Sequence, residues 1–243
     1  MKINNFELLS KKKKKKIYQY FDQQLPLEIT NLEKKIIKKS KKFSMTGYLR
    51  MYSLLWSFKH IINKKVTGDF VECGVWKGGN LILLKNLLTN YSKNRKIYGY
   101  DTFEGMPKPT KFDVKYDNRS GIKIYKNFEK KKIKWGKASF DEVKSNLLKT
   151  CKNLKNINLI KGMVENTLKK IVPKKISLLR LDTDFYESTK ICLKILYPKL
   201  NKNGVLIIDD YGNWKGCRKA VDEYFGKNKN LFYVEGSCRL MIK

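Results

Sequence analysis

The sequence is short of negative charge. Its 243 residues hold 22 Asp and Glu against 54 Lys and Arg, a formal net charge of +32. Arginine is scarce too: only Arg50, Arg95, Arg119, Arg180, Arg218 and Arg239 occur, so the basicity is almost wholly lysine. Specific phosphate and base recognition leans on the bidentate arginine fork. With neither an arginine-rich face nor a recognition module, nucleic-acid binding is the weaker reading of the charge. The five cysteines (Cys73, Cys151, Cys192, Cys217, Cys238) are odd in number and form no CxxC pair. This points to reduced thiols and a cytoplasmic protein. The single histidine, His60, falls beside an apolar stripe, where packing or exposure outweighs catalysis. No apolar run approaches the roughly 20 residues that span a bilayer. No charged-then-apolar leader with a small-residue cleavage site opens the chain, so secretion is not expected.

What is there suffices for a folded domain. Apolar residues make up 42% and aromatics 12%, enough to build a core and to exclude wholesale disorder. The length fits one domain with an added helical piece. Residues 1–65 read as a basic helical extension, in which the run Lys11 to Lys16 forms a solvated face or arm. Within it, Tyr48, Met51, Leu55 and Phe58 recur at helical spacing and predict a helix packed on a sheet or on a partner subunit. The apolar character around Trp56 leaves room for a homodimer. Contact of the basic surface with a membrane periphery stays open.

From Gly68 onward short apolar runs alternate with helical stretches, the pattern of an α/β fold with a parallel sheet. Strands are predicted at Asp69–Cys73, Lys96–Tyr100, Ile157–Ile160, Ile176–Leu181 and Gly204–Ile208. Helices are predicted at Gly79–Asn90, Phe140–Cys151, Glu187–Leu200 and Lys215–Phe225. Leu231–Glu235 and Cys238–Ile242 predict a hairpin around Gly236-Ser237. The connection Thr102–Ser139 is long, Lys- and aromatic-rich and weakly periodic, which predicts a lid or a disordered segment.

Four motifs carry chemistry. In Asp69-Phe-Val-Glu72-Cys-Gly74-Val-Trp76-Lys-Gly78-Gly79 a strand ends in an acid and glycines turn the chain into a helix. Such a turn suits a nucleotide cofactor, its helix N-terminus offering free N–H groups. The E-x-G-x-x-x-G spacing departs from the dinucleotide fingerprint G-x-G-x-x-G, which weighs against an NAD(P) oxidoreductase. An acid two residues before the glycine suits a ligand with an ammonium group, such as the methionine part of S-adenosylmethionine. A tight turn with no ligand is the plain alternative. Asp101, ending the second strand in Tyr98-Gly-Tyr-Asp-Thr-Phe-Glu-Gly-Met-Pro107, can accept ribose hydroxyls. Leu178-Leu-Arg-Leu-Asp182-Thr-Asp184-Phe-Tyr-Glu187 and Gly204-Val-Leu-Ile-Ile-Asp209-Asp210-Tyr211 are apolar strands ending in paired carboxylates. If these strands are neighbours, Asp182, Asp209 and Asp210 converge, and a shared hard cation, Mg²⁺ or Ca²⁺, would relieve their repulsion. Asp184 or Glu187 could instead cap the following helix. Only 18 acids lie beyond residue 65, and eight of them sit at predicted strand ends, the edge where open α/β sheets bind ligands.

In this order the four motifs resemble the macrocin O-methyltransferase family, from about Thr46 to the C-terminus. The first 45 residues show no resemblance. The resemblance implies an α/β, Rossmann-like class I methyltransferase: a mostly parallel seven-stranded sheet with an antiparallel C-terminal strand, plus N-terminal helices. It implies a methyltransferase domain at 66–243, with a lid at about 103–138. It implies S-adenosylmethionine as cofactor and a divalent cation, usually Mg²⁺, activating a sugar hydroxyl of a glycan or glycosylated natural product. Glu72, Gly74, Val75, Trp76 and Gly78 would surround the methionine end, Asp101, Thr102, Phe103 and Ser139 would meet the adenosine, and Asp182 would also contact the cofactor. Asp182, Asp209 and Asp210 would hold the metal, with Asp182 also the general base. Trp76 departs from the wider methyltransferase pattern, which has a second glycine there. The lid aromatics Phe112, Tyr116, Tyr125, Phe128 and Trp135 could stack on a sugar or simply pack the lid down. An RNA-binding or RNA-modifying methyltransferase is the alternative.

Overall fold

The computed structural model describes residues 25–226 and 230–243, and the Lys11–Lys16 run lies outside them. Seven strands, β1 (Asp69–Cys73), β2 (Ile97–Asp101), β3 (Ile157–Lys161), β4 (Ile176–Leu181), β5 (Leu200–Ile208), β6 (Phe232–Glu235) and β7 (Cys238–Ile242), form one sheet in the order β3-β2-β1-β4-β5-β7-β6. The first five pair in parallel, and β7 runs antiparallel to both neighbours. Parallel strands covered on both faces must be apolar nearly throughout. β4 accordingly reads Ile-Ser-Leu-Leu-Arg-Leu with all six residues buried, and its one arginine has to find partners inside.

The helices are α1 (Asn31–Lys41), α2 (Tyr48–Asn63), α3 (Gly79–Asn90), α4 (Gly121–Lys130), α5 (Phe140–Thr150), α6 (Val164–Thr167), α7 (Tyr186–Leu196) and α8 (Lys215–Phe225). Helix α7 ends before the expected Leu200 because Pro198 lacks the N–H an α-helix needs, and Tyr197–Lys199 tightens into a 3₁₀ turn. β5 starts earlier than predicted, at Leu200.

Residues 25–65 are not an appended arm. Ile29, Ile36, Ile37, Met51, Leu55 and Phe58 join the same core as the sheet. Helix α2 lays Met51, Leu54, Leu55, Phe58 and Ile61 inward against α3, β4, β5 and β6, so the sheet covers the predicted stripe. Tyr48 is half-buried, Trp56 faces outward, and His60 stacks on Trp56 at 5.3 Å. Helix α3 is apolar all round because α1 and α2 cover the side turned away from the sheet. Thr30 and Glu33 form a reciprocal capping box at the start of α1. Buried Glu33 also accepts from Lys59 Nζ of α2 at 2.8 Å and from the Tyr91 hydroxyl just beyond α3 at 2.5 Å, tying three elements together.

The 102–139 connection is ordered. It contains α4 and is held by Asp113, which is 1% exposed. Asp113 Oδ2 accepts from the Thr110 amide and hydroxyl, and Oδ1 accepts from the Tyr186 amide at 2.8 Å. A residue 73 positions upstream thus caps α7, a task the sequence offered to Asp184 or Glu187.

Candidate active site

β1, β2, β4 and β5 end at one edge, where open α/β sheets bind ligands. β1 leaves through Gly74 at φ +89°, where a Cβ would stand 1.9 Å from the Asp182 carbonyl oxygen. The following turn is clamped by Asp101 of β2. Its Oδ2 accepts from the amides of Val75 (2.7 Å) and Trp76 (3.0 Å), and its Oδ1 accepts from the Phe103 amide (2.8 Å). Trp76 (φ +46°), Phe103 (φ +55°) and Asp184 (φ +60°) all occupy the left-handed region. Non-glycine residues held so are strained by about 1–3 kcal/mol each and gather at functional sites. Trp76 therefore takes a backbone conformation that glycine favours.

A cleft of about 910 Å³, measured out to its open mouth, lies over this edge. Of the sequence-predicted residues, Gly74, Trp76, Asp101, Thr102 and Asp182 line it. Met45, Met106, Trp135, Met163, Thr183 and Asp184 line it as well, none of them foreseen as a cofactor contact. Val75, Gly78 and Phe103 stand behind the lining, and Ser139 caps α5 by accepting from the Glu142 amide. Among the lid aromatics, Phe112 packs on Tyr186 and Phe128 stacks on Trp135 at 5.4 Å, while Tyr116 is exposed.

Glu72 is also set back, 1% exposed. Its Oε1 accepts from Asn80 Nδ2 and Arg180 Nη1, while Oε2 is buried without a partner. Burial raises its pKa to about 7 against the opposing pull of Arg180. Arg180, the buried arginine of β4, also reaches Asp182 Oδ2 and Asp209 Oδ1, each at 2.8 Å. Arg50 of α2 holds the other Asp209 oxygen at 2.6 Å.

The convergent trio differs from the expected one. Asp182, Asp184 and Asp210 bring carboxylate oxygens within 4.8 Å of one another. Asp209 stays out because its side chain is turned to the two arginines. Asp184 joins because its left-handed backbone directs it inward and the Trp214 indole N–H donates to its Oδ1 at 2.6 Å. Burial pushes all three pKa values up, reinforced by neighbouring carboxylates at Asp184 and Asp210 and opposed by Arg180 at Asp182; that of Asp184 rises to about 7. The Asp210 Oδ2 atom is buried without a partner. Three crowded oxygen donors, one of them orphaned, fit a hard divalent cation. Among the described residues no Cys or His stands in the cluster, which excludes a zinc-type ligand set there.

Among the described residues no helix is long and apolar enough to cross a membrane. All five cysteines are buried free thiols.

Comparison with known proteins agrees with this geometry. The chain is 31% identical over 185 residues to demethyldecarbamoylnovobiocin O-methyltransferase of Streptomyces niveus, covering 76% of this chain and 68% of that one. It is 30% identical, with the same coverage, to the 8-demethyl-8-(2,3-dimethoxy-alpha-L-rhamnosyl)-tetracenomycin-C 4'-O-methyltransferase of Streptomyces olivaceus. The solved structure of the O-methyltransferase NovP superposes with a TM-score of 0.72 at 28% identity, covering 83% of this chain and 82% of that one. The family model for macrocin-O-methyltransferase (TylF) matches residues 10–232, reaching further toward the N-terminus than the motifs alone suggested. The chain belongs to the macrocin-O-methyltransferase (TylF) family and is an S-adenosylmethionine-dependent O-methyltransferase.

Proposed function

We propose that the protein methylates a sugar hydroxyl of a glycan or glycosylated natural product, with a divalent cation, Mg²⁺ by its oxygen ligands, at the carboxylate trio. The observation that carries this reading is the convergence of Asp182, Asp184 and Asp210 at a cleft that Gly74, Trp76, Asp182 and Asp184 line together. The two relatives named above act on novobiocin and tetracenomycin compounds by their names, the second on a rhamnosyl group, which supports a glycosylated acceptor.

S-adenosylmethionine supplies an electrophilic methyl group on a sulfonium. The unpartnered Oε2 of Glu72 is suited to the ammonium of its methionine end, with Gly74, Val75, Trp76 and Gly78 shaping the turn around it. Asp101, fixed by three backbone N–H groups, keeps lone pairs for ribose hydroxyls, beside Thr102 and Phe103. Ser139 is committed to its helix cap and is not among the residues that line the cleft.

Asp182, Asp184 and Asp210 would hold the cation, which supplies Lewis acidity that lowers the pKa of a coordinated hydroxyl. Asp182 lines the cleft and is 30% exposed, so it is the carboxylate placed to take the acceptor's proton. Arg180 keeps part of the surrounding negative charge compensated through Glu72, Asp182 and Asp209. Met106 and Trp135 of the 102–139 connection line the cleft, where their apolar side chains would shield the sulfonium from water.

The test is calorimetric titration with S-adenosylmethionine and with NAD⁺, followed by methyl transfer to glycan extracts with and without EDTA. Binding of the first ligand only, loss of transfer in EDTA and restoration by Mg²⁺ are expected. Asp182→Asn should lower transfer by about 10²–10⁴. Transfer untouched by EDTA, or full activity in Asp182→Asn, overturns the mechanism.

A further inference from the structure

Six arginines stand among 54 basic residues, and the fold uses most of them internally. Arg50, Arg119 and Arg180 pair with carboxylates, and Arg95 donates to the Gly68 carbonyl and the Ser177 hydroxyl. Arg218 and Arg239 form no ion pair among the described residues. Both lie over the ring of Tyr211, the residue that follows Asp210, with guanidinium carbons 5.2 and 5.6 Å from the ring centroid.

The placement follows from the topology. Arg239 stands on β7 in register with Ile208, the last residue of β5 before Asp209 and Asp210. Arg218 is on the first turn of α8. The Tyr211 hydroxyl donates to Asp222 Oδ1 at 2.9 Å, which fixes the ring. Each guanidinium is aimed through part of its donor set only. Arg218 uses Nε on the Tyr211 carbonyl, and Arg239 uses Nη1 on the Gly236 and Cys238 carbonyls. The terminal Nη groups of Arg218 and the Nη2 of Arg239 meet no acceptor among the described residues. Arg239 also lies 4.8 Å over the ring of Tyr233, which is 68% exposed. The lid crosses the same rim, where the Tyr116 amide donates to the Asn213 carbonyl.

Two guanidiniums held against one ring put like charge on one rim, which a polyanion would offset. A guanidinium with unspent Nη donors offers a planar edge to an oxyanion, a pairing that favours phosphate. We propose that Arg218, Arg239 and Tyr211 form a phosphate subsite at the acceptor's entrance, so that the sugar is methylated while it carries a phosphate ester, as a sugar phosphate or a nucleoside diphosphate sugar. The sugar acceptor rests on the reading given under Proposed function; the anion subsite itself does not. A surface rich in lysine attracts anions diffusely, and what sets this rim apart is the two arginines with unspent donors beside the carboxylate trio.

The probe is inorganic pyrophosphate, titrated calorimetrically into the full-length protein at low ionic strength. One saturable site is expected. The double variant R218A/R239A should bind it at least tenfold more weakly, while K152A/K174A, at the opposite edge of the sheet, should bind it as the wild type does. Equal binding by R218A/R239A, or equal loss in K152A/K174A, overturns the proposal. In competition, glucose 1-phosphate and uridine diphosphate should both displace pyrophosphate, and neutral methyl glucoside should not. A stronger effect of the nucleotide identifies the nucleoside diphosphate sugar as the source, a stronger effect of the sugar phosphate identifies the simple ester, and displacement by neither overturns the assignment. S-adenosylmethionine titration runs in parallel. Unchanged binding in R218A/R239A establishes that the variant is folded. If neither protein binds S-adenosylmethionine, the catalytic reading fails, whatever pyrophosphate does.

Discussion

Glu33→Gln probes how firmly the N-terminal helices are built into the catalytic domain. The Glu33 carboxylate is fully buried and receives the Thr30 amide, the Tyr91 hydroxyl and Lys59 Nζ. Burial alone would raise its pKa, but the hydrogen bonds from Lys59, Tyr91 and Thr30 outweigh it and hold the group at about 2 instead of 4.5. A depression of that size corresponds to about 3 kcal/mol of stability at neutral pH. Lys59 is one-third exposed, so solvent screening trims this to roughly 2–3 kcal/mol. Glutamine keeps the volume but replaces one acceptor oxygen with a donor, so either the Thr30 amide or the Lys59–Tyr91 pair loses its partner. For a chain of this length the thermal midpoint should fall by roughly 5–10 °C at pH 7. The sign with pH follows from the lowered folded-state pKa. The stabilisation is complete above 4.5 and is lost as the pH falls toward 2, so the gap between wild type and Glu33→Gln should narrow steadily below pH 4.5. Circular-dichroism melts of both proteins at pH 7, 4 and 3, at constant ionic strength, measure it. Equal midpoints at pH 7, or a gap unchanged at pH 3, would refute the reasoning.

Trp214→Phe keeps the ring but removes the N–H that orients Asp184. Loss of such a supporting hydrogen bond typically weakens metal binding 10–100-fold, and Mn²⁺ titration calorimetry should register at least a tenfold loss. Unchanged Mn²⁺ affinity would mean Asp184 needs no orientation. Gly74→Ala forces a Cβ to within 1.9 Å of the Asp182 carbonyl at a φ of +89°. Clash and backbone strain together should cost roughly 3 kcal/mol and depress S-adenosylmethionine binding. A urea midpoint equal to the wild type's would contradict that close approach.

The parallel strands were legible because burial on both faces demands apolar runs, and the limits of β1, β4, α3 and α8 agree with prediction. The 102–139 connection was less so. Its order comes from Asp113 reaching Tyr186 across 73 residues, and no local pattern announces such a bond. The N-terminal helix was legible as amphipathic. Its role as a wall of the main core depends on α3 being apolar all round, and that becomes meaningful only when α1 and α2 are placed over it. Trp56, left outward, was part of the expectation of a dimer and is exposed on this chain.

The sequence by itself determined the strand order's chemistry: acids at the C-terminal ends of β1, β2, β4 and β5 in a chain otherwise drifting to lysine, and a glycine where β1 turns. It also determined the family, through four motifs in order. Tertiary structure decided which carboxylates meet. Asp209 and Asp210 are neighbours in sequence, and Asp182 and Asp184 are two apart, so spacing could not say which of them share a centre. Arg50, 159 residues away along the chain, together with Arg180 takes Asp209. The left-handed turn at Asp184 and the indole of Trp214 bring Asp184 in instead. The charge of each acid came from composition, but its partner came from through-space contacts between strands, which no linear pattern encodes.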